Sequence, residues 1–190
     1  MSTTTATKEQ GGVSSASGAR VYNARHTLDS LAEMSSAELE NLYRSAPAPE
    51  NLAKVNGRPK GRMLTVDHTD GTPAFSAIKA FAAMNVFPWD GKTFQYEKGD
   101  KGNGINRVKL LVANFDWFAF ETRVVPSAID GKPCVFLDYE QPGNPFFIAR
   151  IHDEIREVSP GVWMGPAMWK RDSANPLLIL WFAVDFNQSR

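Results

Sequence analysis

The sequence predicts a mainly β fold of the α+β class: an antiparallel barrel of about eight strands, with an N-terminal helix and short capping helices. Three observations support this prediction. Short runs rich in β-branched and aromatic residues follow one another from residue 60 to residue 186. Clusters of Gly, Pro, Asp and Ser separate most of these runs. Most connections are short, which favours an antiparallel meander over alternating strands and crossover helices.

The predicted strands can be read directly from the sequence. KGRMLTV follows a proline-rich stretch, and the later runs are separated by the turn clusters EKGDKGNG, SAIDGKP, SPG and RDSANP. GDKGNG is interpreted as a hairpin connection, because it lacks the setting and the final Lys-Ser/Thr of a phosphate-binding loop. The eight runs are KGRMLTV (60–66), KTFQYE (92–97), INRVKLLV (105–112), FDWFAFETRV (115–124), KPCVFLDY (132–139), DEIREV (153–158), VWMGPAMWK (162–170) and PLLILWFAVDF (176–186).

Residues 1–25 read as a disordered leader, because they are rich in Ser, Thr and Gly and have no apolar segment. Residues 26–190 form the predicted single domain. Leucines at helical spacing predict a helix over 26–44, which starts or restarts at the capping box of Ser35 and Glu38.

Two further helices are predicted within the domain. PAFSAIKAFAAM (73–84) combines a capping threonine, a proline in the first turn and an alanine-rich body. NPFFIARI (144–151) interrupts the β pattern, with Asn144 as the expected N-cap and Pro145 at the first helical position. The charged residues that follow therefore lie where a short helix becomes a strand.

Composition excludes several classes of protein. Apolar residues make up 43% and charged residues 22% of the chain, with a formal net charge of zero, so a general nucleic-acid or anionic-membrane binder is not expected. No apolar run is long enough to span a bilayer. The lone cysteine, Cys134, cannot form an intramolecular disulfide and fits a cytoplasmic location. It is interpreted as a buried, inert thiol.

Several motifs together resemble a known group of proteins. These are GRPKGRML (57–64), PWDGKTF (88–94), LDY (137–139) followed by NP, and DEIREVSPGVWMG (153–165). Over residues 36–186 the chain resembles uncharacterised bacterial calycin-like (lipocalin-like) barrel proteins, and more distantly the GXWXG-type domains of unknown function. It departs from the name-giving motif, whose tryptophan corresponds to Arg62 or Met63. The resemblance implies a small barrel of a kind that usually holds an apolar molecule, and it implies no defined reaction.

A cluster of charged residues in DEIREV is the candidate catalytic site. His152, Glu154 and Arg156 can share one face of a strand, whereas Asp153 must point to the other. A histidine oriented by a carboxylate can act as a general base, and the arginine can stabilise an oxyanion. Tyr139, at a strand end, is the fourth catalytic candidate. The alternative is that Glu154 and Arg156 form a solvent-exposed pair while His152 ends the helix.

Aromatic residues on the predicted strands are the candidate ligand-binding residues. Bulky inward-facing rings either fill an eight-stranded barrel or leave room for one small ligand. Phe118 and Phe120 share one face of their strand and Trp117 the other, but the pattern leaves open which face looks inward. The candidates are Phe118, Phe120, Trp163, Trp169 and Trp181.

The sequence predicts neither a metal site nor a cofactor. It contains no H-E-x-x-H motif and no cysteine pair. Haem is the exception to be considered, because one axial histidine is sufficient for it. The available histidines are His26, His68 and His152.

The leading functional prediction is binding of a small apolar or aromatic molecule inside the barrel. The alternative is a cofactor-independent isomerase, cyclase or lyase that moves protons by acid–base catalysis on such a molecule. A further alternative is a structural domain whose barrel is packed solid. The ligand, the reaction and the oligomeric state stay open.

Overall fold

A computed structural model of the protein describes most of the predicted domain. The described ranges are 25–66, 89–110, 113–172 and 175–188, and the side chains of residues 108–115 are excepted. The helix predicted over 73–84 and the histidine at position 68 lie outside the described residues, as does nearly all of the predicted leader.

The predicted antiparallel barrel is confirmed: eight strands pair with their neighbours along the chain, and the last strand pairs with the first to close the sheet. All eight pairings are antiparallel. The strands are β1 Lys60–Val66, β2 Trp89–Lys98, β3 Lys101–Leu110, β4 Ala113–Pro126, β5 Pro133–Asp138, β6 Ile151–Ser159, β7 Val162–Trp169 and β8 Leu177–Asp185.

The β2–β3 connection is shorter than predicted, because most of GDKGNG belongs to strand β3. The glycines mark a close approach within the sheet. A Cβ atom on Gly104 would lie 2.4 Å from the ring of Phe120, which occupies the space that a side chain at position 104 would need. Glycine inside a strand typically signals such an approach, and here it makes room for an aromatic core.

The N-terminal helical region divides into two helices, α1 Leu28–Ala32 and α2 Ser36–Ser45. The predicted capping box starts α2: Glu38 N donates to Ser35 Oγ (3.4 Å), and Ser35 N donates to Glu38 Oε2 (2.8 Å). A second capping box, between Thr27 and Ser30, starts α1. Two consecutive start signals thus explain why one predicted helix becomes two.

The helix predicted over NPFFIARI is a single turn, α3 Phe146–Ala149. Pro145 occupies the N-cap position, so the assignment of Asn144 as N-cap was wrong. The Asn144 amide instead donates to the carbonyl oxygens of Ala119 (2.7 Å) and Tyr139 (2.8 Å). These bonds fasten the β5–β6 connection to strand β4.

Within the described residues, buried apolar side chains form two separate cores. One lies inside the barrel, and the other lies between its outer face and helices α1 and α2. Strands β5 to β8 therefore have buried residues on both faces. The inner core includes Phe94, Phe120, Leu137, Ile155, Trp163 and Phe182; the outer core includes Leu31, Leu39, Leu42, Cys134, Met164 and Trp181.

The two ends of the barrel differ. At one end, here called the Phe186 end, Leu52, Val55 and Phe94 pack with Phe186 of a terminal 3-10 helix, Phe186–Gln188. At the other, the Ile148 end, β5 ends, β6 begins, and helix α3 contributes the buried side chain of Ile148.

The seam between β1 and β2 is bridged by a side chain. Among the described residues these strands pair at Lys60 and Gly91, whereas β1 and β8 pair from Lys60 to Val66. The buried guanidinium of Arg107 donates to the carbonyl oxygens of Pro59 (2.7 Å) and Lys92 (2.8 Å). It thereby takes over part of the backbone pairing at this seam.

We expect Arg107→Ala to lower the free energy of unfolding by about 2–4 kcal/mol, because buried carbonyl groups lose their donors. Urea denaturation would measure the loss. Arg150→Ala is the control, since Arg150 pairs with an exposed partner, Asp172, and should cost less than about 1 kcal/mol. Equal losses in the two variants would contradict a bridging role for Arg107.

Candidate functional site

Strand β6 directs its charged residues to opposite faces. Asp153 lies on the inner face between Ile151 and Ile155, which belong to the inner core. Glu154 and Arg156 are also fully buried, but they contact residues on the outside of the barrel. Because side chains alternate along this strand, as the sequence predicts, its charged residues belong to two distinct polar clusters.

The first is the interior cluster of Lys92, Asn106, Tyr139 and Asp153. Lys92 Nζ donates to Tyr139 Oη (2.5 Å), Asn106 Oδ1 (2.8 Å) and Asp153 Oδ2 (3.1 Å). Tyr139 Oη donates to Asp153 Oδ2 (3.0 Å) and accepts from Asn106 Nδ2 (3.2 Å). The interior cluster thus connects strands β2, β3 and β6 and the end of β5 through one hydrogen-bonded network, which contains the Lys92–Asp153 ion pair.

Aromatic rings enclose the ammonium group of Lys92. Its Nζ lies between 5.0 and 5.4 Å from four ring centroids, close enough for favourable cation–π attraction. Burial lowers the pKa of Lys92, and the charge of Asp153 partly opposes this effect. Burial likewise raises the pKa of Tyr139, with a further contribution from Asp153. The four rings are those of Trp89, Phe120, Tyr139 and Phe182.

A cavity lies against the interior cluster, toward the Ile148 end. Its volume is about 40 Å³, room for a few water molecules by the usual measure of one water per roughly 10–15 Å³. Its wall is mostly apolar, with the interior cluster as the polar part. The lining residues are Met63, Trp89, Lys92, Asn106, Phe118, Tyr139, Ile148, Ile151, Asp153, Ala167, Leu180 and Phe182.

Phe118 reaches this cavity from a strained backbone position. Its φ is 62°, and it is the one non-glycine residue with positive φ in the described part of the chain. The β3–β4 register shifts here, because Ile105 pairs with Ala119 and Asn106 with Trp117. Phe118 is thus the extra residue of a β-bulge. Its carbonyl accepts from Asn106 Nδ2 (3.4 Å), which connects the bulge to the interior cluster.

One polar atom of the interior cluster has no partner. Asp153 is 3% exposed, and its Oδ1 has no hydrogen-bond partner among the described residues. A buried carboxylate oxygen normally accepts at least one hydrogen bond, because leaving it unpaired costs free energy. The cavity that Asp153 lines is therefore adjacent to an unused acceptor.

The second cluster lies on the outer face, centred on Glu154. Its Oε2 accepts from Tyr43 Oη (2.8 Å) and Ser127 Oγ (2.5 Å), and its Oε1 accepts from Ala128 N (2.8 Å). His152 Nε2 lies 2.8 Å from Oε1. Burial alone would raise the pKa of Glu154, but these hydrogen bonds together hold that pKa below its ordinary value.

Arg156 continues the outer cluster. Its guanidinium donates to both carboxylate oxygens of Asp130 (2.7 and 2.8 Å) and to the carbonyl of Tyr43 (3.2 Å), and it stacks 4.3 Å from the Tyr43 ring centroid. Two side chains lie near Arg156, the phenol of Tyr43 and the thiol of Cys134, and burial raises the pKa of each. The outer cluster thus fastens helix α2 to the barrel.

The structure separates the predicted catalytic residues. His152, Glu154 and Arg156 share the outer face, whereas Tyr139 lies inside the barrel in the interior cluster. The four side chains therefore do not meet at one cavity. The alternative of a solvent-exposed pair was wrong for Glu154 and Arg156, because both are fully buried.

The predicted ligand-binding residues also divide. Phe118 lines the cavity, while Phe120 and Trp163 are buried in the inner core and Trp169 packs against it. Trp181 belongs to the outer core, where its Nε1 donates to Ser36 Oγ (3.0 Å).

The candidate site residues predicted from the sequence did not include Lys92, Asn106 or Asp153. A signal for Asp153 was present: in the run I-H-D-E-I it shares its face with two isoleucines, so an acid occupies an otherwise apolar stripe. Lys92 similarly shares a face with Phe94. Asn106 carries no such signal.

The described residues hold no group of three or more His, Cys, Asp and Glu side chains that could hold a metal ion. His152 lies on the outer face, its ring 4.4 Å from that of Phe136, and so does not face the cavity. His26 donates its backbone N–H to Ser159 Oγ, at the start of the helical region.

Comparison with known proteins gives a similarity in fold alone. No family model and no curated protein matches the chain. A crystal structure of a protein from Thermomonospora curvata is similar, with a TM-score of 0.50 and 19% sequence identity over 80% of this chain and 88% of that chain. Within the described ranges, no helix has the length and hydrophobicity needed to cross a membrane.

We expect Glu154→Gln to destabilise the protein by about 1–3 kcal/mol at pH 7, because charge-assisted hydrogen bonds are lost. The pKa of Glu154 in the folded state is lower than its ordinary value of 4.5. Its contribution to the free energy of unfolding is therefore present above pH 4.5 and is lost as the pH falls through the folded-state pKa. Melting temperatures of wild type and variant should therefore converge in acid. Glu40→Gln, in an exposed pair with Arg44, is the control; a constant difference for Glu154→Gln would contradict the assignment.

We expect Lys92→Met and Asp153→Leu each to cost about 3–5 kcal/mol, because each leaves an uncompensated buried charge. The double variant should be more stable than either single variant, since no buried charge is left over. A double-mutant cycle measured by urea unfolding tests this. Additive losses would show that the two groups are not coupled.

Proposed function

We propose that the protein binds a small, mainly apolar molecule in the barrel, at the cavity beside the interior cluster. The observation that carries this proposal is an apolar cavity lined by aromatic rings into which a few buried polar groups converge. Ligand sites commonly combine an apolar wall with a small number of placed polar groups. The resemblance to calycin-like barrels supports the same function.

Two features of the interior are difficult to explain by packing alone. A buried ion pair is often no more stabilising than well-packed apolar residues, so Lys92 and Asp153 are weak candidates for a purely structural role. The backbone of Phe118, with its positive φ, carries strain on the order of 1–3 kcal/mol. Both features touch the cavity, which favours a role in binding.

The cavity volume limits what can enter without movement. A cavity that binds benzene in another protein measures about 150 Å³, whereas this one measures about 40 Å³. A ligand with an aromatic ring therefore requires the lining side chains to move. Met63 is the most adaptable of them, because its side chain is unbranched and has three rotatable bonds.

A second candidate is acid–base catalysis in the same cavity. The observation that favours it is the convergence of three titratable groups, Lys92, Tyr139 and Asp153, on one small cavity. Asp153 Oδ1 would take a proton from the substrate, and the Tyr139 hydroxyl would orient the carboxylate. An isomerase reaction, in which Asp153 returns the proton to another atom of the substrate, or a lyase reaction, in which it gives the proton to the leaving group, fits this chemistry. Tyr139, which the sequence predicts to move a proton, would here position Asp153.

We expect native mass spectrometry of the purified protein to show added mass that is lost on denaturation. Titration with one-ring aromatic compounds should quench tryptophan fluorescence, because Trp89 lines the cavity. Ala167→Leu, which places a larger side chain in the cavity, should weaken this binding at least tenfold. Ala119→Leu on the exposed outer face is the matched control.

Each outcome of this experiment decides between the candidates. Binding that Ala167→Leu leaves unchanged would exclude the cavity as the site. A protein that shows no added mass and binds no one-ring compound would favour a packed, structural barrel. Conversion of a bound compound, abolished by Asp153→Asn, would favour the enzyme.

A further inference from the structure

We propose that the cavity selects neutral molecules that donate a hydrogen bond, an alcohol, phenol or N–H heterocycle on an apolar body, through Asp153 Oδ1. This inference rests on the proposed function and adds the chemical class of the ligand. It follows from counting the donors and acceptors of the interior cluster.

The donors of the interior cluster are all used internally. An ammonium group has three N–H donors, and Lys92 Nζ has three acceptors within 3.1 Å. The Tyr139 hydroxyl has one donor, which Asp153 Oδ2 accepts. The Asn106 amide donates to Tyr139 Oη and to the carbonyl of Phe118. The cluster therefore offers a ligand no free donor.

The acceptors are also used, with one exception. Asn106 Oδ1 accepts from Lys92 and from Trp89 Nε1 (3.3 Å), and Asp153 Oδ2 accepts from Lys92 and Tyr139. Asp153 Oδ1 accepts nothing among the described residues. The unmet requirement of the site is thus a single donor, which a hydroxyl or N–H group supplies.

Charge narrows the ligand class further. Lys92 neutralises Asp153 across 3.1 Å, so the cluster has no surplus charge to offset that of an ion. An anion would face a carboxylate oxygen, and a cation would be buried among apolar rings without a counter-charge of its own. Ethers and ketones present only acceptors to Oδ1. A neutral donor is the class that remains.

Two other buried oxygens of the described residues, Thr65 Oγ1 and Thr93 Oγ1, also have no partner. Neither threonine is among the residues that line this cavity. Both are neutral hydroxyls, for which an unmade hydrogen bond costs less than for a carboxylate. Asp153 Oδ1 is therefore distinguished by its charge and because it belongs to a residue that lines the cavity.

The test compares phenol with toluene, which have the same ring and one substituent atom each, by calorimetry on the full chain. Each dissociation constant is first multiplied by the compound's own hydrocarbon/water partition coefficient, which refers binding to transfer from hydrocarbon and so removes the difference in hydration. Phenol should then bind the wild type about 1,000 times better than toluene or more, the factor expected for a hydrogen bond in an apolar medium without competing hydration. Anisole, in which a methyl group replaces the donated hydrogen, should lose this preference.

Two variants extend the test. The ratio of corrected phenol affinity to corrected toluene affinity, measured within each variant, should fall at least tenfold in Asp153→Asn and in the double variant Lys92→Met/Asp153→Leu. The double variant keeps the test valid where the single substitution does not fold. Equal corrected affinities for phenol and toluene in the wild type would overturn the donor inference and leave the proposed binding function standing. Failure of both compounds to bind would overturn both.

Discussion

Strand β6 is buried on both faces, and the placement of the polar groups in this protein depends on that constraint. Its inner face belongs to the barrel core, and its outer face is covered by helix α2. Consecutive residues of a strand point to opposite sides. Asp153 and its neighbour Glu154 therefore lie in separate environments, although they are adjacent in the chain.

The two environments treat their charges differently. On the outer face, Glu154 receives bonds from Tyr43, Ser127 and Ala128, and Arg156 is held by both oxygens of Asp130. Such a network is closed, and its effect is to fix helix α2 on the barrel. The interior cluster is closed except at Asp153 Oδ1. A buried acceptor without a partner is tolerated where a ligand or water completes it, which is why the proposed binding function concerns the interior and not the outer face.

The geometry around the cavity depends on departures from a regular sheet. The bulge at Phe118 turns that side chain toward the cavity, and Asn106 links the bulge to Lys92. Gly104 leaves the space that Phe120 fills, and Phe120 in turn forms one wall around the ammonium group. The close approach at Gly104, the bulge at Phe118 and the buried ammonium group of Lys92 are thus connected by direct contacts.

The antiparallel barrel could be predicted because its information is local. Runs such as KPCVFLDY and PLLILWFAVDF, and the capping box of Ser35 and Glu38, each determine their own element. The boundary errors, at GDKGNG and at Asn144, lie where the chain contacts distant residues, Phe120 and Ala119. No local pattern contains these partners.

The sequence by itself determined the strands, the alternation within each strand and the residue types available to a site. It determined that His152, Glu154 and Arg156 share a face and that Asp153 opposes them. Only the tertiary structure decided which face is inside, because that depends on the closure of the sheet and on the helices that cover its outer side. It also decided that Lys92, Asn106 and Tyr139, which are far apart in the chain, meet Asp153 in one apolar interior.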